Sequence, residues 1–221
     1  MSDSERVDAA AVIAALADPS RRELYRIIQA GAEPLGRDEL AERMGLPRTT
    51  VAFHLDRLVE VGALTAAFVR RSGRTGPGAG RPAKFYSLAT DEVTASVPPR
   101  RYDLVGDVLA AAMEESDRTG APVRDCLIAV ATGRGHELGG AGAPLIDTLA
   151  GIGYEPAAEG DGGYVLTNCP FHRLASRHTG LICSANTAFV RGIADESAEK
   201  REVWLEPAVG NCCVRIGPLV S

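Results

Sequence analysis

A chain of 221 residues has room for one large domain or two small ones, and 45% hydrophobic residues suffices to pack a core. The N-terminal MSDSERVDAA lacks the basic-then-apolar pattern of a signal peptide, and no apolar run approaches the ~20 residues of a membrane span. A cytoplasmic protein with no membrane partner is the expectation, and five unevenly placed cysteines then point to metal or redox chemistry, not a disulfide scaffold.

Asp8 to Leu16 is an Ala-rich helix that Asp18-Pro19-Ser20 interrupts. Ser20 is the expected N-cap of a second helix, Arg21 to Ala30, with Leu24, Ile27 and Ile28 on its buried face. Arg37 to Leu64 reads RDELAERMGLPRTTVAFHLDRLVEVGAL. Leu40, Ala41 and Met44 share one face of a short helix, and Gly45-Leu46-Pro47 makes a tight turn. Val51, Leu55, Leu58 and Val59 then form one apolar stripe of a further helix. Thr49, Thr50, His54 and Arg57 fall mostly on its other side. This is a helix-turn-helix pattern, whose second helix would enter a major groove of double-stranded DNA. Leu64 to Arg71 and Arg81 to Leu88 read as two strands around a Gly-rich tip, a wing. From Arg43 to Lys84 there are eight Lys/Arg and two acids, net +6, which leaves −11 for the rest of a chain of net −5. A local basic face is what phosphate binding needs. Arg48, Thr49, Thr50 and His54 are expected at base edges and Arg70, Arg71, Arg74 and Arg81 at phosphates, and Arg57 and Lys84 complete the expected DNA-binding set. The phrase LADPSRRELYRII resembles the opening of ArsR-type winged-helix repressors.

The winged-helix domain is expected over 1–89, a linker and dimerisation helix over 90–118, and a sensor domain over 119–221. Pro98-Pro99 ends the linker. Tyr102 to Ser116 carries Leu104, Val105, Val108, Leu109 and Ala112, read as a homodimer seam because two-fold operators match two-fold proteins. Pro122 to Leu138 is a helix in which Cys126 is a small core residue, and Pro144 to Ile152 is another. A hairpin runs from Gly153 to Thr167 and ends at Asn168-Cys169-Pro170. The fold class is thus α+β.

Cys169 precedes a helix, FHRLASRH, and Thr179-Gly180 separates that helix from one spanning Leu181 to Gly192 with Cys183 in its first turn. Both thiols would gain from a helix dipole. Asn211 to Ile216 reads as a closing strand with adjacent Cys212 and Cys213, so one should face a shared metal and the other the core. The spacing C-x13-C-x28-C has no C-x2-C knuckle, so it is not a zinc ribbon. Soft thiolates from three places select zinc, copper(I) or an iron–sulfur cluster.

The wing phrase Gly80-Arg81-Pro82-Ala83-Lys84-Phe85-Tyr86-Ser87-Leu88, with the order Cys169-Pro170, Cys183, Cys212, resembles the iron–sulfur-sensing winged-helix repressors of the SufR type. That resemblance implies a dimeric transcription regulator, not an enzyme. Cys169, Cys183 and Cys212 would hold a 4Fe-4S cluster, with zinc the alternative and His172 a reserve fourth ligand. The extra Cys213 departs from the pattern. Two other functions stay open: a regulator of an organic ligand with incidental cysteines, and an enzyme with Cys169 as nucleophile and His172 or His178 as base.

Overall fold

The computed structural model describes residues 8–69, 83–140, 142–208 and 210–220, in two compact units, Met1–Ala95 and Ser96–Ser221. The architecture is α+β, an N-terminal helix-turn-helix unit followed by a mixed helix and sheet unit.

In the first unit, α1 (Ala9–Ala15) and α2 (Pro19–Gln29) pack on α3 (Arg37–Met44) and α4 (Arg48–Glu60). Asp18, not Ser20, caps α2: its Oδ1 accepts the Arg21 N–H at 2.9 Å and Pro19 takes the first helical position. Proline there gives up an N–H that has no helical partner in any case, which moves the helix start two residues upstream. Gly45 closes α3 at φ 63°, a left-handed conformation that glycine adopts at little steric cost. Leu24, Leu40, Val51, Leu55 and Leu58 are fully buried, so the stripe expected on α4 does face the core. Strands β2 (Leu64–Val69) and β3 (Ala83–Leu88) pair antiparallel, Leu64 opposite Leu88 and Val69 opposite Ala83. The two-residue strand β1 (Leu35–Gly36) joins the far edge of β3; nothing so short shows a period in a sequence.

In the second unit, α5 (Tyr102–Thr119), α6 (Val123–Gly139) and α7 (Leu145–Ile152) surround α9 (Thr179–Glu196). Almost every residue of α9 from Ile182 to Ala194 is buried, as befits a central helix. It meets α6 through glycines: a Cβ on Gly135 would stand 2.1 Å from the Phe189 carbonyl oxygen, and one on Gly192 2.2 Å from that of Thr132. Leu104, Val105, Val108 and Ala112 of α5 are buried in this unit's own core. The stripe read as a dimer seam therefore faces inward, and α5 belongs with the C-terminal unit instead of forming a separate linker element. The outer face of α5 keeps Ala110, Ala111 and Met113 exposed. Strands β4 (Pro156–Ala158), β5 (Tyr164–Leu166), β6 (Arg201–Leu205) and β7 (Val214–Leu219) form an antiparallel sheet in the order β4-β5-β7-β6. The short helix α8 (His172–Arg177) is divided from α9 by His178 alone, and Gly180 lies inside α9. No helix among the described residues is long and apolar enough to cross a membrane.

Candidate nucleic-acid interface and thiol site

Pro47 ends the turn without a side-chain cap, so the first amides of α4 are left for an outside acceptor. Around that end Arg48 and Thr49 are exposed and Thr50 is half-buried. Arg48 Nε lies 3.3 Å from Asp38, and Arg57 reaches Glu60 at 2.6 Å. Lys84 Nζ donates to Asp56 at 2.7 Å, a bond that raises its pKa, and stands over the Tyr86 ring. These exposed pairs are worth little in water, so a phosphate can replace the carboxylate at small cost. His54 is half-buried, with Nδ1 buried and without a hydrogen-bond partner among the described residues. Phe53 beside it is 67% exposed, a large apolar ring presented on the outer face of α4 that the charge pattern did not single out. Arg70, Arg71, Arg74 and Arg81 lie outside the described residues.

Four of the five cysteines come together. Cys169 follows β5, Cys183 lies in α9, and Cys212 and Cys213 sit in the turn before β7. Cys212 lies close enough to Cys169 for each to act on the other's thiol, and Cys183 Sγ stands 3.1 Å from Cys213 Sγ. The Cys212 amide donates to the Leu166 carbonyl at 2.8 Å, which seats that turn against the strand leading to Cys169. Two expectations are corrected. Cys212 and Cys213 precede the strand, so pleat alternation does not apply and both reach another thiol. Cys213 is the more exposed of the two, and Cys212 is 2% exposed. Cys183 falls in the second turn of α9, because the helix begins at Thr179, and so lies beyond the free amides of the first turn.

The electrostatics follow from these contacts. The Cys212 thiol donates to Cys169 and holds it below the ordinary thiol value, helped by the Phe171 amide and the Arg100 charge. The same bond, with burial, pushes Cys212 up. Burial first, and then Cys213, pushes Cys183 up to about 12. One low thiol beside a high one is the behaviour of two sulfurs sharing a proton.

Polar side chains that the sequence did not flag brace the sulfurs. Asn168 is buried; its Nδ2 donates to the carbonyls of Gly153 at 2.6 Å and Pro99 at 3.2 Å. Its Oδ1 accepts from Arg100 Nη1 at 2.5 Å, and the same Nη1 reaches the Cys169 carbonyl at 3.2 Å. Asn186 Nδ2 donates to Cys212 Sγ at 3.3 Å, while its oxygen accepts from the buried Tyr154 hydroxyl. Buried Asn within α9 and beside Cys169 was the available signal, since a buried amide must find partners. His172 is exposed at the start of α8, where its amide donates to the Cys169 carbonyl at 3.1 Å, and His178 is exposed at the end of that helix. Cys126 is buried in α6 among apolar neighbours, as expected of a core residue. Among the described residues no three His, Cys, Asp or Glu groups are gathered as for a single metal ion.

A family model described as a helix-turn-helix domain matches residues 16–65, the stretch from the end of α1 to the start of β2. Match and geometry together support a DNA-binding transcriptional regulator. No curated protein matches the chain.

Proposed function

We propose that this regulator binds its DNA as a homodimer and senses an iron–sulfur cluster, held by Cys169, Cys183 and Cys212, through which operator affinity is set. The observation that carries the reading is the convergence of thiols from three distant segments, a β5 exit, a central helix and the turn before β7, in a unit that follows a helix-turn-helix along the chain. The chemistry of the donor set fits the group, since soft sulfurs are the ligands that clusters take, with zinc the alternative. The cluster would supply a redox- and oxygen-sensitive link between the three segments.

This chain's own residues do the rest. Ligation needs thiolates, so Cys183 and Cys212, both pushed up, give up protons on loading, and loading strengthens as pH rises. Asn186 stays bonded to Cys212 and, through Tyr154, fixes its direction. Arg100 balances charge at Cys169. His172 stays the reserve fourth ligand, its amide bonded to the Cys169 carbonyl at 3.1 Å and its side chain exposed. The homodimer rests on two-fold operators, no longer on the inward stripe of α5.

The test is anaerobic purification with visible spectroscopy, iron and sulfide analysis, and single substitutions. Cys169→Ser, Cys183→Ser and Cys212→Ser each remove the chromophore; Cys213→Ser and Cys126→Ser retain it. Wild-type protein that takes up neither iron nor zinc refutes the reading and leaves a regulator of an organic ligand.

A further inference from the structure

We infer that Cys183 and Cys213 form a reversible disulfide when the cluster-free chain meets a peroxide, a modification that withdraws Cys183 from the ligand set. The consequence for loading rests on the cluster reading above; the disulfide itself does not.

The two sulfurs stand 3.1 Å apart, already in contact and about 1 Å from a covalent S–S distance of ~2.05 Å. They belong to segments that approach from different directions. Cys183 is fixed in α9 by a helix buried on nearly all sides, whereas Cys213 lies in the turn before β7, where a small rotation closes the gap. Exposure sets their order of reaction. Cys213 is the one partly exposed member of the four, and Cys183 is 3% exposed. The second pair, Cys169 and Cys212, is buried, and Cys212 is engaged by Asn186.

The chemistry balances with hydrogen peroxide as the two-electron oxidant. The Cys213 sulfur attacks one peroxide oxygen, the O–O bond breaks, and Cys213 becomes a sulfenic acid as the first water leaves. The Cys183 sulfur then attacks the Cys213 sulfur, the S–O bond breaks, and the second water leaves carrying the Cys183 proton. Two thiols and one peroxide give one disulfide and two waters. A dithiol reductant reverses it.

The experiment uses the full chain, metal-free and reduced, treated with equimolar hydrogen peroxide, alkylated and digested with trypsin. The expected product is a cross-link between the peptide His178 to Arg191 and the peptide Glu202 to Arg215, with free thiols falling from five to three. In Cys212→Ser the cross-link persists, because only Cys213 remains on the second peptide; in Cys213→Ser and Cys213→Ala it disappears. Persistence in the Cys213 variants, a cross-link to the Cys169 peptide instead, or five unchanged thiols overturns the inference. A second arm reconstitutes the oxidised protein with iron and sulfide: no chromophore forms until dithiothreitol is added. If reduced wild type also forms none, the cluster reading fails while the mapped disulfide stands. If the disulfide-bearing protein loads fully without reductant, the withdrawal of Cys183 is wrong.

Discussion

Replacing Gly135 with alanine sets two magnitudes against each other. Helix propensity favours alanine inside α6 by up to about 1 kcal/mol. The new Cβ, however, would lie 2.1 Å from the Phe189 carbonyl oxygen, where contacts below 3.0 Å are essentially never seen. Both partners are backbone, so no side chain can swing away; α6 and α9 must part by about 0.9 Å along that line. A gap of that size forfeits roughly a quarter to a half of each dispersion contact across the crossing. Overpacking of this kind costs about 1–3 kcal/mol, and a rigid obstacle at the main helix pair of the unit places Gly135→Ala near the upper end. Propensity loses, and the thermal midpoint of the C-terminal unit falls by about 10 °C, at roughly 3–6 °C per kcal/mol. Gly192→Ala, 2.2 Å from the Thr132 carbonyl, behaves alike. The double variant costs less than the sum, because one separation relieves both clashes. Gly133→Ala, two residues away with nothing within 4 Å of its Cβ, is the internal control and keeps or gains stability. The assay is thermal and denaturant unfolding of all four proteins. A Gly135→Ala midpoint at or above that of Gly133→Ala refutes the close-crossing argument.

Two further outcomes follow from hydrogen bonds. Asp18→Ala removes the α2 cap and costs about 1 kcal/mol at neutral pH. The Arg21 amide holds the Asp18 carboxyl below its ordinary value of 3.8, so this stabilisation is complete above that value and is lost as pH falls through the lower folded one; an undiminished penalty in strong acid counts against the cap. Asn168→Ala leaves the Gly153 carbonyl without its side-chain donor and takes one of several acceptors from Arg100, so unfolding free energy falls by about 2 kcal/mol; no measurable loss shows that water replaces the amide.

How far the sequence carried depended on the kind of order each part needs. The helix-turn-helix was legible because Val51, Leu55 and Leu58 are spaced for one face, and all three are buried. The inward turn of α5 was not: Leu104, Val105, Val108 and Ala112 form a stripe that suits a partner chain or the chain's own core equally well, and only packing chooses. The convergence of Cys169, Cys183 and Cys212 followed from motif order, but not the pairing. Pairing depends on where β7 begins, and moving its start to Val214 frees Cys213 to meet Cys183. Arg100 carried no pattern, since long-range polar contacts leave no period in a sequence, and Asn168 and Asn186 stood beside the cysteines without showing which partners they take.

Those three residues bear on how a sulfur event could be felt elsewhere in the protein. Coupling between sites needs an element with two arrangements that both ends bias. The segment from Thr167 to Pro170 has no helix or strand of its own and is fixed by bonds from outside it. Arg100 holds the Asn168 side chain and the Cys169 carbonyl with a single nitrogen, so movement at Cys169 breaks or shifts both bonds together. The Arg101 amide in turn donates to the Pro170 carbonyl, so the same few residues are gripped twice from the stretch that leads into α5. That stretch begins the C-terminal unit, directly after the residues that close the DNA-binding unit. A change at Cys169 therefore acts on Arg100 and Arg101, at the start of the C-terminal unit, without crossing that unit's core. Cys212, by contrast, reports to Asn186 and Tyr154, both buried in the interior, and serves to hold the site in place.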